Sequence, residues 1–404
     1  MNGIRALEPD DLPGVCALYE RVVRSGSTEA PTELVDYFRR IFLDCPTADP
    51  EIPSLVHEDR SGAIVGFIGS HVRHARFDGH AVRLACSGQL VAAPEPSARG
   101  VGALLTGRYL GGPQDLTYTD GATEQMRRIW IGLGGRVATV ASVGWARILR
   151  PGAVAEAIAA WSGRRGWSRA ARTLGLPLDA ALRAALRRHP RLLPGTPETS
   201  SVPLGPRELA DQLRGLAPRL RLYPEYEPAY AAWLFTELAA VHGRGELVGN
   251  LVRDATGRDI GWYVYYVAPR AIADVIQIGA AAGRLGPVLD HLFWHADQHG
   301  AAAVRGRLEP DLLPELRARL CLTVPTSWSL VHSRDPALLA VLGTSEAMLT
   351  RLDGEWWMTP HLLVPSRAAA TPRLPAPLRP DSGGARGGPL AVVTGRAATP
   401  SPPP

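Results

Sequence analysis

Lysine is absent from all 404 residues, so every one of the 44 basic side chains is an arginine. Those arginines are scattered along the chain, and the net charge is only +5. A nucleic-acid footprint needs positive charge gathered on one face or stripe, so the lack of clustering argues against DNA or RNA, and all-arginine usage reads as codon bias toward GC-rich triplets. Cysteine is scarce. Cys16, Cys45, Cys86 and Cys321 stand far apart with no C-x-x-C pair, a spacing that indicates neither a zinc site nor a disulfide framework and fits reduced thiols in a cytoplasm. No uncharged apolar run reaches the roughly 18 residues that span a bilayer, and the chain opens on a strand pattern and acidic residues where a leader would be basic and apolar. A cytoplasmic protein with no membrane association is expected, long enough for two domains with extensions.

Against these absences one stretch stands out, LVAAPEPSARGVGALLTGRYL from Leu90 to Leu110. A short apolar run is followed by a proline-marked break, two glycines and an unbroken helical pattern. Gly100 and Gly102 lack Cβ, so their backbone can take positive φ and approach a ligand closely. The amides of Ala98, Arg99, Gly100, Val101, Gly102 and Ala103 would open a helix, where unpaired N–H groups and the positive end of the dipole favour a phosphate. The spacing is neither G-x-G-x-x-G nor a P-loop. Taken alone it is equally an ordinary strand-to-helix turn.

The segment resembles the acetyl-CoA loop of the GNAT superfamily of N-acyltransferases, V-x-P-x-x-(Q/R)-x-x-G-x-(G/A), through Ala92, Pro94, Ser97, Gly100 and Gly102. Ala92 stands for the usual Val and Ser97 for the usual Gln or Arg, with Arg99 close enough to restore the charge. The surrounding order is similar too: a strand at Ile4–Leu7, a helix entered through Pro9, Asp10 and Asp11, strands at Ala63–Phe77 and Val82–Ala92 joined by the hairpin dipeptide Asp78-Gly79, a strand at Asp115–Asp120, a helix over Gln125–Gly135 and a closing strand at Val137–Leu149. The resemblance implies an α/β (α+β) fold with a mixed, mostly antiparallel sheet flanked by helices, acetyl-CoA or another acyl-CoA as cofactor, and a cofactor arm paired with the backbone of Leu90 and Ala92.

Past Arg150 the texture becomes Ala-, Leu- and Arg-rich with helical spacing, so residues 151–206 are expected to form a helical connector, ending in a loop from Pro194 to Pro206. Residues 207–364 then repeat the order of the first half, with strands in LVGNLVRD, GWYVYYVA and ADVIQIGA and a helix in GPVLDHLFWHADQHG. The turn Ala280–Gly286 has no Gly-x-Gly, so this half is expected to be a degenerate GNAT-like copy in tandem with the first. His291, His295 and His299 share one helix face; a partly buried polar stripe is the preferred reading over a metal site. Trp356 and Trp357 are expected in a closing strand on the second sheet. Residues 365–404, rich in Pro, Gly, Ala and Arg, are expected to be a disordered tail.

Acyl transfer to an amine needs a base, a donor for the oxyanion and an acid for the leaving thiol. Many family members place a Tyr on the late helix for the last role; the matching position here is Trp130, which cannot serve. Asp120 and Tyr118 are the nearest candidate catalytic residues, beside a water relay, and Cys86 is a buried thiol of the kind that is usually inert. The resemblance thus implies an acetyl-CoA-dependent N-acyltransferase of a small-molecule amine. Two alternatives stand beside it: a Fem-type aminoacyl transferase that would use aminoacyl-tRNA, and a catalytically silent module that binds acyl-CoA.

Overall fold

The computed structural model describes residues 3–24, 27–161, 165–186 and 193–358; the expected tail, 365–404, lies outside them. In the first half the chain runs β1 (Gly3–Ala6), α1 (Leu12–Val23), α2 (Thr32–Phe42), β2 (Leu55–Glu58), β3 (Ile64–Phe77), β4 (His80–Ala92), α3 (Val101–Leu110), β5 (Leu116–Ala122), α4 (Glu124–Gly132), β6 (Arg136–Val137) and β7 (Val143–Ile148). Helices α5 (Pro151–Trp161) and α6 (Arg165–Leu186) follow, then β8 (Ser200–Pro203), α7 (Pro206–Leu216), β9 (Leu222–Pro224) and α8 (Pro228–Ala239). The remainder is β10 (Glu246–Arg253), β11 (Asp259–Val267), β12 (Ile272–Ala280), α9 (Leu285–Gln298), β13 (Ala303–Arg307), α10 (Leu312–Ala318), β14 (Leu322–Pro325), β15 (Trp328–His332) and α11 (Pro336–Val341).

Two mixed sheets result. The first has the order β1-β2-β3-β4-β5-β15-β6 with β9 on the far end of β3, and the second β14-β7-β13-β12-β11-β10-β8. Each contains one parallel pair, β4 with β5 and β12 with β13. The long β3–β4 hairpin turns on Asp78 and Gly79, both at positive φ, the backbone a type I′ turn requires and the reason this dipeptide signals a hairpin.

The two halves trade strands, which corrects the expectation of one closing strand over Val137–Leu149. Arg136–Val137 stays with the first sheet through β15, a 3-10 turn at Val140–Ser142 redirects the chain, and β7 joins the second sheet between β13 and β14. Trp145 on β7 is buried there, its Nε1 donating to the Arg307 carbonyl at 3.0 Å, so the second core draws β7 across. In return β15, from the far end of the chain, pairs with β5 in the first sheet. The main core accordingly mixes both halves: Tyr37, Phe38 and Phe67 pack in one cluster with Tyr230, Leu234, Trp262 and Trp357.

Other expectations shift as well. The loop Pro194–Pro206 contains β8, which pairs with β10. Trp356 and Trp357 form no strand on the second sheet; they lie in a 3-10 turn, Trp356–Met358, tied to β4 of the first by the Gln89 side-chain amide donating to the Met358 carbonyl at 3.2 Å. Helix α2 is an element beyond those expected, and its signal is legible: Leu34, Tyr37, Phe38, Ile41 and Phe42 follow helical spacing and are all buried.

Candidate functional site

The parallel ladder between β4 and β5 is short. It pairs Leu84 with Leu116, Ala85 with Thr117 and Cys86 with Tyr118, and stops there, although β4 continues to Ala92 and β5 to Ala122. Beyond that point β4 keeps its bonds to β3 and β5 follows β15, so the strands part into a gap. At its inner end Gln89 has φ +53°, where the β3–β4 register shifts; a bulge re-aims the strand. Farther out the Ala93 N–H donates to the Val65 carbonyl at 2.9 Å. By alternation the main-chain groups of Leu90 and Ala92 lie on the opposite edge, toward the gap.

The glycine loop follows directly. Gly100 takes φ +89° as the residue that opens α3, and the first helical bond is from Leu104 N–H to the Gly100 carbonyl at 3.0 Å. The amides of Val101, Gly102 and Ala103 precede it and so have no carbonyl within the helix. Those of Ala98 and Arg99 are used inside the turn, donating to Glu95 and Pro96 carbonyls at 3.0 and 3.2 Å. The cradle therefore narrows from the six expected amides to Gly100–Ala103, with the exposed Arg99 beside it. A Cβ on Gly102 would lie 3.9–4.0 Å from Leu90 and Ala92, so cradle and gap adjoin.

A side chain from the far end of the chain enters the gap. One carboxylate oxygen of Glu355 accepts the Gln89 main-chain N–H at 3.1 Å, and the other accepts a short bond from the Thr119 hydroxyl. Two glycines make room for it. A Cβ on Gly121 would stand 3.0 Å from this carboxylate and one on Gly88 3.4 Å. Asp120 fixes the backbone of the same segment, its Oδ1 accepting the N–H groups of Glu355 and Trp356 at 2.9 and 3.0 Å. Burial pushes the Glu355 carboxyl up to about 7, opposed by the Thr119 bond and reinforced by the charge of Asp120. Asp120 is itself raised by burial, with Arg307 and Arg351 acting against that rise.

The second half holds this segment from the other side. Asp353 accepts from the Tyr226 hydroxyl and from both N–H and hydroxyl of Thr350, while Gln277 donates to the Thr350 hydroxyl at 3.1 Å. The Trp356 ring lies between two guanidinium groups, Arg244 at 3.6 Å and Arg351 at 4.5 Å from its centroid.

Of the residues singled out from sequence, Asp120 is at the gap and grips Glu355. Tyr118 is not at its mouth: it is fully buried, packed with Leu84, Cys86 and Val331, and burial drives its hydroxyl well above the usual range. Cys86 is likewise buried with its thiol pushed well up. Trp130 is a core residue whose Nε1 donates to the Val331 carbonyl at 3.0 Å. Glu355, Thr119 and Gln89 were missed, and nothing in the string DGEWWM marks its glutamate as a partner of residues 89 and 119.

The corresponding gap in the second sheet is sealed. The β12–β13 ladder ends at Asp274 and Arg305, and Trp145 fills the space beyond, packed on Gly306. The cavity left among Trp145, Gln277, Arg307 and Glu309 is about 10 Å³, room for one water at most. On α9, His291 and His295 meet the Tyr263 and Tyr265 hydroxyls at 3.0 and 2.7 Å, and burial lowers both imidazoles to about 4.

Known proteins give the fold a class. A scan of protein-family models and a search of curated proteins both return no match. Among solved structures the chain is similar to a conserved protein of Enterococcus faecalis described as a probable N-acyltransferase, with a TM-score of 0.51 and 10% identity over 82% of this chain and 72% of that one. It is similar as well to GCN5-related N-acetyltransferases from Kribbella flavida (TM-score 0.50, 16% identity, 84% and 74% covered) and Anabaena variabilis (0.51, 11%, 83% and 73%). The fold is that of the GCN5-related N-acetyltransferases, in a chain with two mixed sheets flanked by helices. No helix among the described residues is long and apolar enough to cross a membrane.

Proposed function

We propose that the chain is an acyl-CoA-dependent N-acyltransferase that uses acetyl-CoA to acylate the amine of a small-molecule acceptor. One observation carries the reading: the edge of β4 from Gln89 to Ala92, which no strand among the described residues pairs, leads from a carboxylate at its inner end to the helix-opening amides of Gly100–Ala103. Those amides, with Arg99, suit the diphosphate of the cofactor. The main-chain groups of Leu90 and Ala92 suit its amide-bearing arm as a neighbouring strand would. When bound, the thioester supplies the activated acyl group.

Glu355 is the base in this reading. A carboxyl near 7 is ionised in a large fraction of molecules at neutral pH yet basic enough to take a proton from an ammonium. After the amine nitrogen bonds to the acyl carbon and the carbon–sulfur bond breaks, the same carboxyl can return that proton to the sulfur. The Gln89 N–H and Thr119 hydroxyl, which donate to Glu355, are the donors at the base in this reading. Asp120 acts through Glu355 as a positioning residue, Tyr118 takes no direct part, and the second half serves as a degenerate copy that delivers the base.

Release of free thiol from acetyl-CoA, followed over a panel of amines, amino acids and aminosugars, tests the proposal. Amine-dependent release that Glu355→Gln removes supports it. Failure to bind acetyl-CoA in calorimetry overturns it.

A further inference from the structure

On β3, beside the closed part of the β4–β5 ladder, lies a buried cation with no carboxylate bonded to it among the described residues. Arg73 on β3 is 1% exposed, and its guanidinium makes a single long bond, from Nη1 to the Val72 carbonyl at 3.4 Å. Nε and Nη2 have no hydrogen-bond partner among the described residues. The titratable groups that act on it most strongly are Tyr230, Tyr118, Cys45 and Cys86, none of them a carboxylate. The Tyr230 ring sits 4.8 Å from the guanidinium carbon, which offsets only part of the lost hydration.

Other unsatisfied groups lie around it. Among the described residues the Tyr230 hydroxyl and His71 Nδ1 are buried without a partner, and the Tyr118 hydroxyl has the Cys86 thiol beside it. Asp353, the acid nearest the tyrosines, has both oxygens engaged by Tyr226 and Thr350. A guanidinium taken from water with two donor positions unused is strongly destabilising unless a negative charge and acceptors meet it. Tyrosine hydroxyls around a cation can turn their hydrogens onto a shared acceptor.

We propose that Arg73, Tyr230 and Tyr118 enclose a binding site for one small monovalent anion of halide size. Arg73, Tyr118 and Tyr230 are all fully buried, with Trp233 stacked on the neighbouring His71 at 5.4 Å; this enclosure selects a small ion over a metabolite. The anion accepts from Arg73 Nε and Nη2 and from the tyrosine hydroxyls, and neutralises the core beneath the reaction gap. This site stands apart from the acyltransferase reading and needs no substrate.

Thermal unfolding of the full chain in sodium chloride against sodium gluconate at equal ionic strength tests it. The expected result is a midpoint that rises with chloride in a saturable way, as for any ligand bound only by the folded state, and a bromide peak at Arg73 in anomalous diffraction from crystals grown in bromide. Arg73→Met is expected to abolish the chloride dependence. Should that variant fail to fold, Tyr230→Phe keeps the charge and is expected to shift the saturation to higher chloride. A chloride response no greater than that of gluconate, a response that survives both substitutions, or a bromide map without a peak at Arg73 overturns the proposal.

Discussion

The carboxylate of Glu355 accepts the main-chain N–H of Gln89 at 3.1 Å across 266 positions of sequence. The contact joins the last described segment of the chain to a strand bulge in its first quarter, and it makes Glu355 the residue on which the proposed chemistry turns.

Glu355→Gln keeps the shape and the bond from Gln89 but cannot take a proton. The expected outcome is a loss of about 10²–10⁴-fold in kcat/KM with acetyl-CoA affinity nearly unchanged. In the wild type the rate should rise as pH climbs through about 7, because the ionised carboxylate is the active form and burial sets its midpoint there. A pH profile of kcat/KM checks both points, and a glutamine variant of full activity would remove Glu355 from the mechanism.

Asp120→Asn tests the positioning role. Asp120 helps to raise Glu355 by like charge, so its removal should move the limb of the pH profile downward as well as lower kcat. A purely structural role for Asp120 would lower activity without moving that limb.

Gly100 is at φ +89° with open space around the position of a Cβ. Replacing it by Val puts a branched side chain where left-handed backbone costs about 1–2 kcal/mol, and displaces the amides that follow. Titration calorimetry should show acetyl-CoA binding weakened at least tenfold while far-UV circular dichroism stays unchanged. Unaltered affinity would place the diphosphate elsewhere.

Trp145→Ala empties the second gap and should cost about 3–5 kcal/mol, the range for a buried large-to-small change, read from urea unfolding. Because β7 belongs to the second sheet although it comes from the first half, loss of signal from both sheets in one transition is expected.

His291 and His295 are held neutral well below their usual range. The unfolded chain protonates them near 6.5 and the folded chain only near 4, so below 6.5 the unfolded state binds more protons and stability falls as pH drops toward 4. Urea midpoints measured from pH 7 to pH 4 should decline over this window, and less steeply in His291→Gln.

Local chemistry made much of the first half readable. Asp78-Gly79 dictates a hairpin because both residues accept positive φ, Gly100 opens α3 for the same reason, and the apolar, β-branched and aromatic runs of β3, β4 and β10–β12 show which segments are strands. These are properties of a residue and its neighbours, available to anyone reading the chain. Which sheet a strand joins is a different matter. Val137–Leu149 reads as one strand, and only the buried site for Trp145 beside Gly306 sends its second part across. Glu355 was hidden for a related reason: its neighbours at Gln89, Thr119 and Asp120 are more than 230 positions away, and a sequence has no notation for distance in space. The chain's own order of residues determined its turns, its helix openings and the cradle of amides at residues 100 to 103. Packing decided the strand exchange and brought a carboxylate to the cradle, because burial and desolvation depend on what surrounds a side chain after the fold has closed.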